Sequence, residues 1–123
     1  MLIAVIEVAG DPPLVRFTCA AGTATVRWDG DPPRAGERHH VELELDDSRV
    51  SIIPTEARRP SIVDTPDGVR ITGTAEAVVA GVLSVRLAPD CVIDVELGTR
   101  REPVVGQGIE LRAPHPVAYP YLV

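Results

Sequence analysis

The sequence contains no lysine and no asparagine, and all twelve of its basic residues are arginine. Codons for lysine and asparagine are rich in adenine, so this absence indicates a GC-rich genome and is typical of an actinobacterium. The formal net charge is −6 at pH 7, and the acidic residues are spread along the chain. A protein that binds nucleic acid non-specifically needs a positive face for the phosphates. The composition therefore argues against a general nucleic-acid binder.

Aromatic residues, cysteines and long apolar runs are also scarce. Aromatic residues make up 3% of the chain, which leaves few side chains for base stacking. The two cysteines, Cys19 and Cys91, fall on the apolar sides of predicted strands, so we expect buried free thiols in a reducing compartment. Residues 1–7 lack the positive charge of a secretory signal, and no run approaches the ~18 apolar residues of a membrane span. We therefore expect a cytoplasmic protein without a membrane partner.

Proline, in contrast, is abundant, with 12 residues in 123. Proline breaks helices and cannot donate to a sheet ladder, so this abundance predicts short strands and fixed turns. Between the prolines, apolar and polar residues alternate, as in Leu83, Val85 and Leu87 with Ser84 and Arg86. Side chains on a strand point to opposite faces with a period of two residues. Each run therefore predicts a strand with one buried face.

The predicted fold is a single all-β domain over residues 1–123. It is a compact β-barrel or β-sandwich of short antiparallel strands, with at most one helical turn, near residues 55–59. Two segments are interpreted as edge strands, namely residues 61–63 and the proline-containing segment Val117–Val123. Because edge strands expose unpaired backbone groups, these segments offer pairing sites for a homodimer.

A short motif occurs twice in the sequence. Pro-x-x-Gly stands before a predicted strand at residues 33–36 and again at residues 103–106, 70 positions later. The surrounding order of strand, polar loop, motif and strand is the same at both places. The sequence leaves open whether the chain is a duplication, with halves 1–60 and 61–123, or whether the match is accidental.

The second half of the chain has the strand order of a known superfold. A first strand that bends at Gly73 is followed by tight hairpins at residues 80–81 and 89–90, and Pro-Val-Val-Gly precedes a further strand and a closing strand. In this order, residues 69–121 resemble an OB-type small barrel. The resemblance implies the shape of a barrel, and a fold does not by itself give a function.

Four arginines in predicted loops are candidates for a binding site. Arg58 and Arg59 are adjacent in one loop, and Arg100 and Arg101 are adjacent in another. Guanidinium groups bind carboxylates and phosphates through paired hydrogen bonds. If the two loops meet, the four arginines predict a site for an anion or an acidic partner; otherwise they are solvated loop charges.

A weak metal site is the second candidate. His40 and Glu42 share one face of a predicted strand, and His115 lies in a distant loop. Imidazole and carboxylate groups are common zinc ligands. His39 points to the opposite face of the strand from its neighbour and cannot join them. The alternative is that these histidines are solvated or partly buried, and we expect no cofactor.

Two predicted strands carry acidic faces. Glu42, Glu44 and Asp46 alternate along one strand, and Asp94 and Glu96 along another. Buried carboxylate pairs can perform acid–base catalysis. Arginines occupy outward positions on other strands, so we expect these carboxylates to form cross-strand ion pairs.

No catalytic motif is present in the sequence. It contains no Gly-x-Ser-x-Gly, no P-loop, no Cys-x-x-Cys and no dinucleotide-binding fingerprint. We assign no catalytic residue and favour a non-catalytic binding or protein-interaction module of a bacterial cytoplasm, of which an immunity or inhibitor protein is one form. The alternatives are an OB-type nucleic-acid-binding domain and a small metal-dependent enzyme.

Overall fold

The computed structural model describes residues 1–122, which form eleven β-strands and no helix. The strands are β1 (Leu2–Ala9), β2 (Leu14–Cys19), β3 (Gly22–Trp28), β4 (Arg38–Glu44), β5 (Ser51–Thr55), β6 (Ser61–Thr65), β7 (Gly68–Val79), β8 (Val82–Ala88), β9 (Cys91–Glu96), β10 (Gly108–Ala113) and β11 (Val117–Tyr121). The predicted all-β class is confirmed, and the segment between β5 and β6 has no helical turn. Val123, the end of the predicted last strand, lies outside the described residues.

Five of these strands close into a small barrel. β1, β2 and β3 form an antiparallel meander, and β4 pairs with the other edge of β1. β11 pairs antiparallel with β4 and parallel with β3, so the order β1-β2-β3-β11-β4 returns to β1. This order is consistent with an OB-like barrel at the level of the superfold. The closed barrel is formed by residues 2–44 and 117–121, and not by residues 69–121 alone as predicted, because β11 pairs with strands of the first half.

The second half repeats this arrangement without closing it. β7, β8 and β9 form a second meander, and β10 pairs with β7. β5 pairs with β10, as β11 pairs with β4 in the first half. Within residues 1–122, β5 and β9 do not pair. β6 connects the two halves by parallel pairing with β3 and antiparallel pairing with β7. Each half thus supplies the last strand of the other half.

Equivalent backbone hydrogen bonds recur in the two halves, at positions 70 residues apart. In each half, the N–H of a residue in the first strand of the meander (β1 or β7) donates to the carbonyl of the residue that precedes β4 or β10. The carbonyl of the same residue accepts from the N–H of the glycine in the Pro-x-x-Gly motif. The distances are 2.8 Å for Val5 N–H to Glu37 C=O, 2.8 Å for Gly36 N–H to Val5 C=O, 2.9 Å for Ala75 N–H to Gln107 C=O and 2.7 Å for Gly106 N–H to Ala75 C=O. A register shift follows Val5 in β1 and Ala75 in β7. The two motifs therefore occupy equivalent places in one repeated strand arrangement.

The two predicted edge strands lie inside the sheet, so that prediction is wrong. β6 lies between β3 and β7, and β11 lies between β3 and β4. Pro120 is accommodated because its partner Val41 directs its own N–H to the Met1 carbonyl, at 2.9 Å, on the other side of β4. Val41 and Pro120 therefore face each other without exchanging hydrogen bonds, and the missing N–H of proline leaves no acceptor unpaired. Within residues 1–122, the free edges of the sheet belong to β5 and β9.

The apolar faces that the alternation predicted are buried in one core. Leu83, Val85 and Leu87 have 0–1% of their surface exposed. Trp28, the only tryptophan, is 8% exposed and also belongs to the core. Thr72 is the one buried polar side chain among the described residues. The core is therefore apolar and held in register by the backbone ladders.

We expect the chain to remain assembled after it is cut between its halves. A sequence-specific protease site is inserted between Arg58 and Arg59, which are exposed and outside the ladders. The pieces remain bound because five residue pairs join β4 to β11 and five join β5 to β10 across the cut. On size-exclusion chromatography the cleaved protein elutes with the intact chain, and the pieces separate only in denaturant. Pieces that separate in buffer would contradict the exchange of strands.

Gly73 is expected to be required for the close approach of β7 to β8. A Cβ at this position would lie 2.5 Å from the Arg86 carbonyl oxygen and 2.8 Å from Cγ1 of Val85. We expect Gly73→Ala to lower the free energy of unfolding by about 1–3 kcal/mol, because the tightly packed strands must move apart. Urea denaturation measures this, with Thr74→Ala on the exposed side of the strand as the control, expected within about 0.5 kcal/mol of the parent. Equal stability of the two variants would exclude the close contact.

Candidate functional site

An acidic groove runs along the surface between β4 and β9, where the two halves of the chain pack together. We use the term acidic groove for the cavity of about 480 Å³ whose lining includes five carboxylate side chains and one tyrosine, namely Glu42, Glu44, Asp47, Asp94, Glu96 and Tyr119. Glu42 and Glu44 of one predicted acidic face and Asp94 and Glu96 of the other thus come together on one surface, whereas Asp46 follows β4 and lines a neighbouring cavity. Asp47 comes from the turn after β4, and Tyr119 comes from β11.

The carboxylates of the groove lack the ion pairs that the sequence predicted. Within residues 1–122, no ion pair includes Glu42, Glu44, Asp94 or Glu96. Arg86, on the strand β8 that pairs with β9, has another partner and pairs with Glu76 at 2.8 Å. Farther away, Arg112 and Arg70 approach Glu110 at 2.7 and 3.8 Å. The predicted cross-strand pairing is therefore wrong for these two acidic faces. None of these four carboxylates has a cationic group of the described chain within ion-pairing distance.

Two hydrogen bonds hold carboxylates of the groove in place. The Ser84 hydroxyl donates to Asp94 Oδ1 at 2.7 Å, and the Glu96 N–H donates to Asp47 Oδ1 at 3.1 Å. Hydrogen bonds of this kind restrict the rotamers of otherwise mobile acidic side chains. The second bond also connects the turn after β4 to the last residue of β9. The acidic surface is therefore partly preorganised.

Tyr119 places an aromatic side chain among these charges. It is 37% exposed, and Val92 on the β9 side of the groove is 36% exposed. The negative charge of Glu44, followed by desolvation, raises the pKa of the Tyr119 phenol. Tyrosine beside charged and aliphatic side chains is typical of protein-binding surfaces. The groove therefore combines negative charge with some apolar contact area.

The four predicted anion-binding arginines line separate places. Arg59 lines a cavity together with Cys19 at the end of β2, whereas Arg100 and Arg101 line a different cavity beside β5 and β10. Arg58 is exposed in the loop between β5 and β6. Arg59 and the pair Arg100 and Arg101 thus line different cavities.

The three predicted metal ligands are also placed apart. His40 packs against Tyr121 with ring centroids 5.9 Å apart, while Glu42 lines the acidic groove. His115 lines a neighbouring cavity of about 280 Å³, and its Nδ1 donates to the carbonyl of Thr25 at 2.9 Å. In the part of the chain that the structure describes, no group of three or more His, Cys, Asp or Glu side chains could hold a metal ion. The groove carboxylates are thus spread out rather than gathered around one point.

Sequence reasoning missed the contributions of Asp47 and Tyr119. Asp47 follows a strand and reads as an ordinary turn residue, and Tyr119 stands in a segment interpreted as an edge strand. The signal in the sequence was the alternation of acidic residues in β4 and β9, which identified the walls of the groove. It could not show that these strands face each other, because they are about 50 residues apart.

Comparison with known proteins identifies no relative of this chain. No protein-family model, no curated protein and no solved structure matches it. Among residues 1–122 no helix is long and apolar enough to cross a membrane. The function is therefore argued from the geometry of the molecule.

Cys91 is expected to be unreactive. Burial raises the pKa of its thiol to about 11, so the nucleophilic thiolate is scarce at neutral pH. Cys19 is partly exposed, and both cysteines are free. We expect Ellman's reagent at pH 8 to modify one thiol per native chain readily and the second only after unfolding. Cys19→Ser should abolish the rapid phase; a rapid phase that survives this substitution would show that Cys91 is accessible.

Proposed function

We propose that this chain is a non-catalytic protein-interaction module of a bacterial cytoplasm, and that its acidic groove binds a basic segment of a partner protein. The observation that supports this proposal is the group of carboxylates in the groove that have no ion-pair partner. Several unpaired like charges on strands that pack side by side destabilise a fold through mutual repulsion. Arginine or lysine side chains of a partner would relieve this repulsion on binding.

The shape of the groove favours an extended basic segment over a single cation. The carboxylates come from two strands and a turn, and they do not converge on one point. Charge complementarity along such a surface speeds association and selects the partner. The exposed sides of Tyr119 and Val92 add apolar contact area, which charged groups alone do not provide.

An immunity or inhibitor protein is one form of this function, since such a protein covers a basic surface of its target. The OB-like barrel is also a shape in which nucleic-acid binders occur. The negative charge of the groove repels phosphates, and so it favours a basic protein over a nucleic acid. A single-stranded oligonucleotide therefore serves as the comparison ligand in the experiment.

The proposal is tested with an oligo-arginine peptide and a groove variant. Four substitutions, Glu42→Gln, Glu44→Gln, Asp94→Asn and Glu96→Gln, remove four of the five carboxylates of the groove and keep Asp47. We expect isothermal titration calorimetry to show binding to the parent that weakens with salt, and a loss of affinity of about tenfold or more in the variant. The oligonucleotide is expected not to bind.

The matched control changes the net charge equally at other places. It carries Glu7→Gln, Asp31→Asn, Glu56→Gln and Asp67→Asn, all at exposed positions outside the groove. Both variants have a formal net charge of −2, from the −6 of the parent chain. Equal weakening of peptide binding in both variants would mean that only the overall charge matters. It would overturn the proposal that the groove is the binding site. Preferential binding of the oligonucleotide would support the nucleic-acid alternative instead.

A further inference from the structure

The two halves of the chain differ at the seam where the last strand should close each arrangement. In the first half, β11 pairs with β3, the Arg27 N–H donates to the Pro116 carbonyl at 2.8 Å, and the Asp29 N–H donates to the Ala118 carbonyl at 3.0 Å. In the second half, the main chains of β5 and β9 do not pair within residues 1–122. We use the term open seam for this place between β5 and β9.

Side chains bridge the open seam in place of a backbone ladder. Glu96 occupies the position in β9 that Arg27 occupies in β3, and its N–H donates to the side chain of Asp47 at 3.1 Å. Nη2 of Arg100 donates to the carbonyl of Asp47. Nη1 of the same guanidinium is buried and has no hydrogen-bond partner among the described residues. An unpaired buried donor is unfavourable, more so when it is charged, so a shift of the Arg100 guanidinium towards an acceptor in the adjoining cavity would be favourable.

A cavity of about 560 Å³ lies beside the open seam, and Arg100 is one of its lining residues. Its walls include the apolar side chains of Ile52, Pro54 and Val104, and Arg101 is at the same cavity. Cavities of roughly 300–1,000 Å³ with mostly apolar walls and a few polar groups are typical of small-molecule sites. The lining also includes Glu102, whose negative charge selects against a second anionic group on the ligand.

The equivalent place in the first half is occupied by the protein's own side chains. Positions 107 and 109 of the second half correspond to Glu37 and His39, which form a hydrogen bond of 3.1 Å with each other. The ring of His39 also packs against Trp28, with centroids 5.3 Å apart. The second half has Gln107 and Ile109 at these positions. One fold therefore builds a filled polar and aromatic cluster in one half and an apolar cavity in the other.

The rim of the cavity carries unusually exposed aliphatic side chains. Val104, which lines the cavity, has 70% of its surface exposed, and its neighbour Val105 has 59%. Adjacent exposed valines beside a cavity are typical of a surface that a ligand covers. Together with the unpaired guanidinium nitrogen, they describe a site with an anion-binding end and an apolar end.

We propose that the cavity beside the open seam binds a small organic monocarboxylate with an apolar body. The carboxylate accepts hydrogen bonds from Arg100 and Arg101, and the apolar body lies against Ile52, Pro54 and Val104. An arginine and a carboxylate form paired, charge-assisted hydrogen bonds, which explains an arginine at this place. The site is separate from the acidic groove and does not depend on the proposed function.

The experiment uses octanoate and its uncharged analogue octanamide as probes of the intact chain. In ¹⁵N–¹H spectra we expect octanoate to shift the amide signals of Val104, Gln107 and Ile109 saturably, and octanamide to bind about tenfold or more weakly. The chain with Arg100→Gln should lose this preference for the carboxylate. Because Arg100 also holds Asp47, a second variant tests the site without changing that contact.

The second variant is Val104→Asp, and its matched control is Val79→Asp. Val79 is 69% exposed, almost the same as Val104, and lies at the end of β7 away from the cavity. A carboxylate at position 104 repels octanoate, so we expect Val104→Asp to abolish binding and Val79→Asp to retain it. The proposal is overturned if octanoate causes no saturable shift, if octanamide binds equally well, or if the two aspartate variants behave alike.

Discussion

The exchange of last strands between the two halves is the constraint on which the structure depends. β11 follows β10 in the chain but pairs with β4 and β3, and β5 follows β4 but pairs with β10. Backbone N–H and C=O groups of these strands must find partners when they are buried. Because each half meets this need only through the other half, the ladders, the shared apolar core and the contact between β4 and β9 form together.

The candidate sites arise where the two halves meet or differ. The acidic groove lies between β4 of the first half and β9 of the second, with Tyr119 added from the exchanged strand β11. The open seam exists because β5 does not reach β9 as β11 reaches β3, so that Asp47 and Arg100 bridge the place with side chains. The repeated strand arrangement forms the common backbone of the two halves. The candidate binding surfaces lie where the two halves differ or pack together.

Local patterns in the sequence predicted the strands well. The alternation at Leu83, Val85 and Leu87 correctly identified a buried face, because a strand's side-chain period of two is a local property. The barrel was also predicted, but at residues 69–121, because the closing strand was assumed to join its neighbours in sequence. Pro120 indicated an edge strand because proline cannot donate to a ladder. Only the register shows that its partner Val41 requires no donor at that position.

The sequence by itself determined the all-β class, the positions of strands and turns, and the two acidic faces, since these follow from residue type and spacing along a few consecutive residues. Only the tertiary structure decided that the halves exchange their last strands, that the acidic faces lie beside each other, and that Arg100 lines one cavity while Arg59 lines a different one. Long-range pairing depends on which backbone edges remain unsatisfied after the local hairpins form, and no local pattern contains that information.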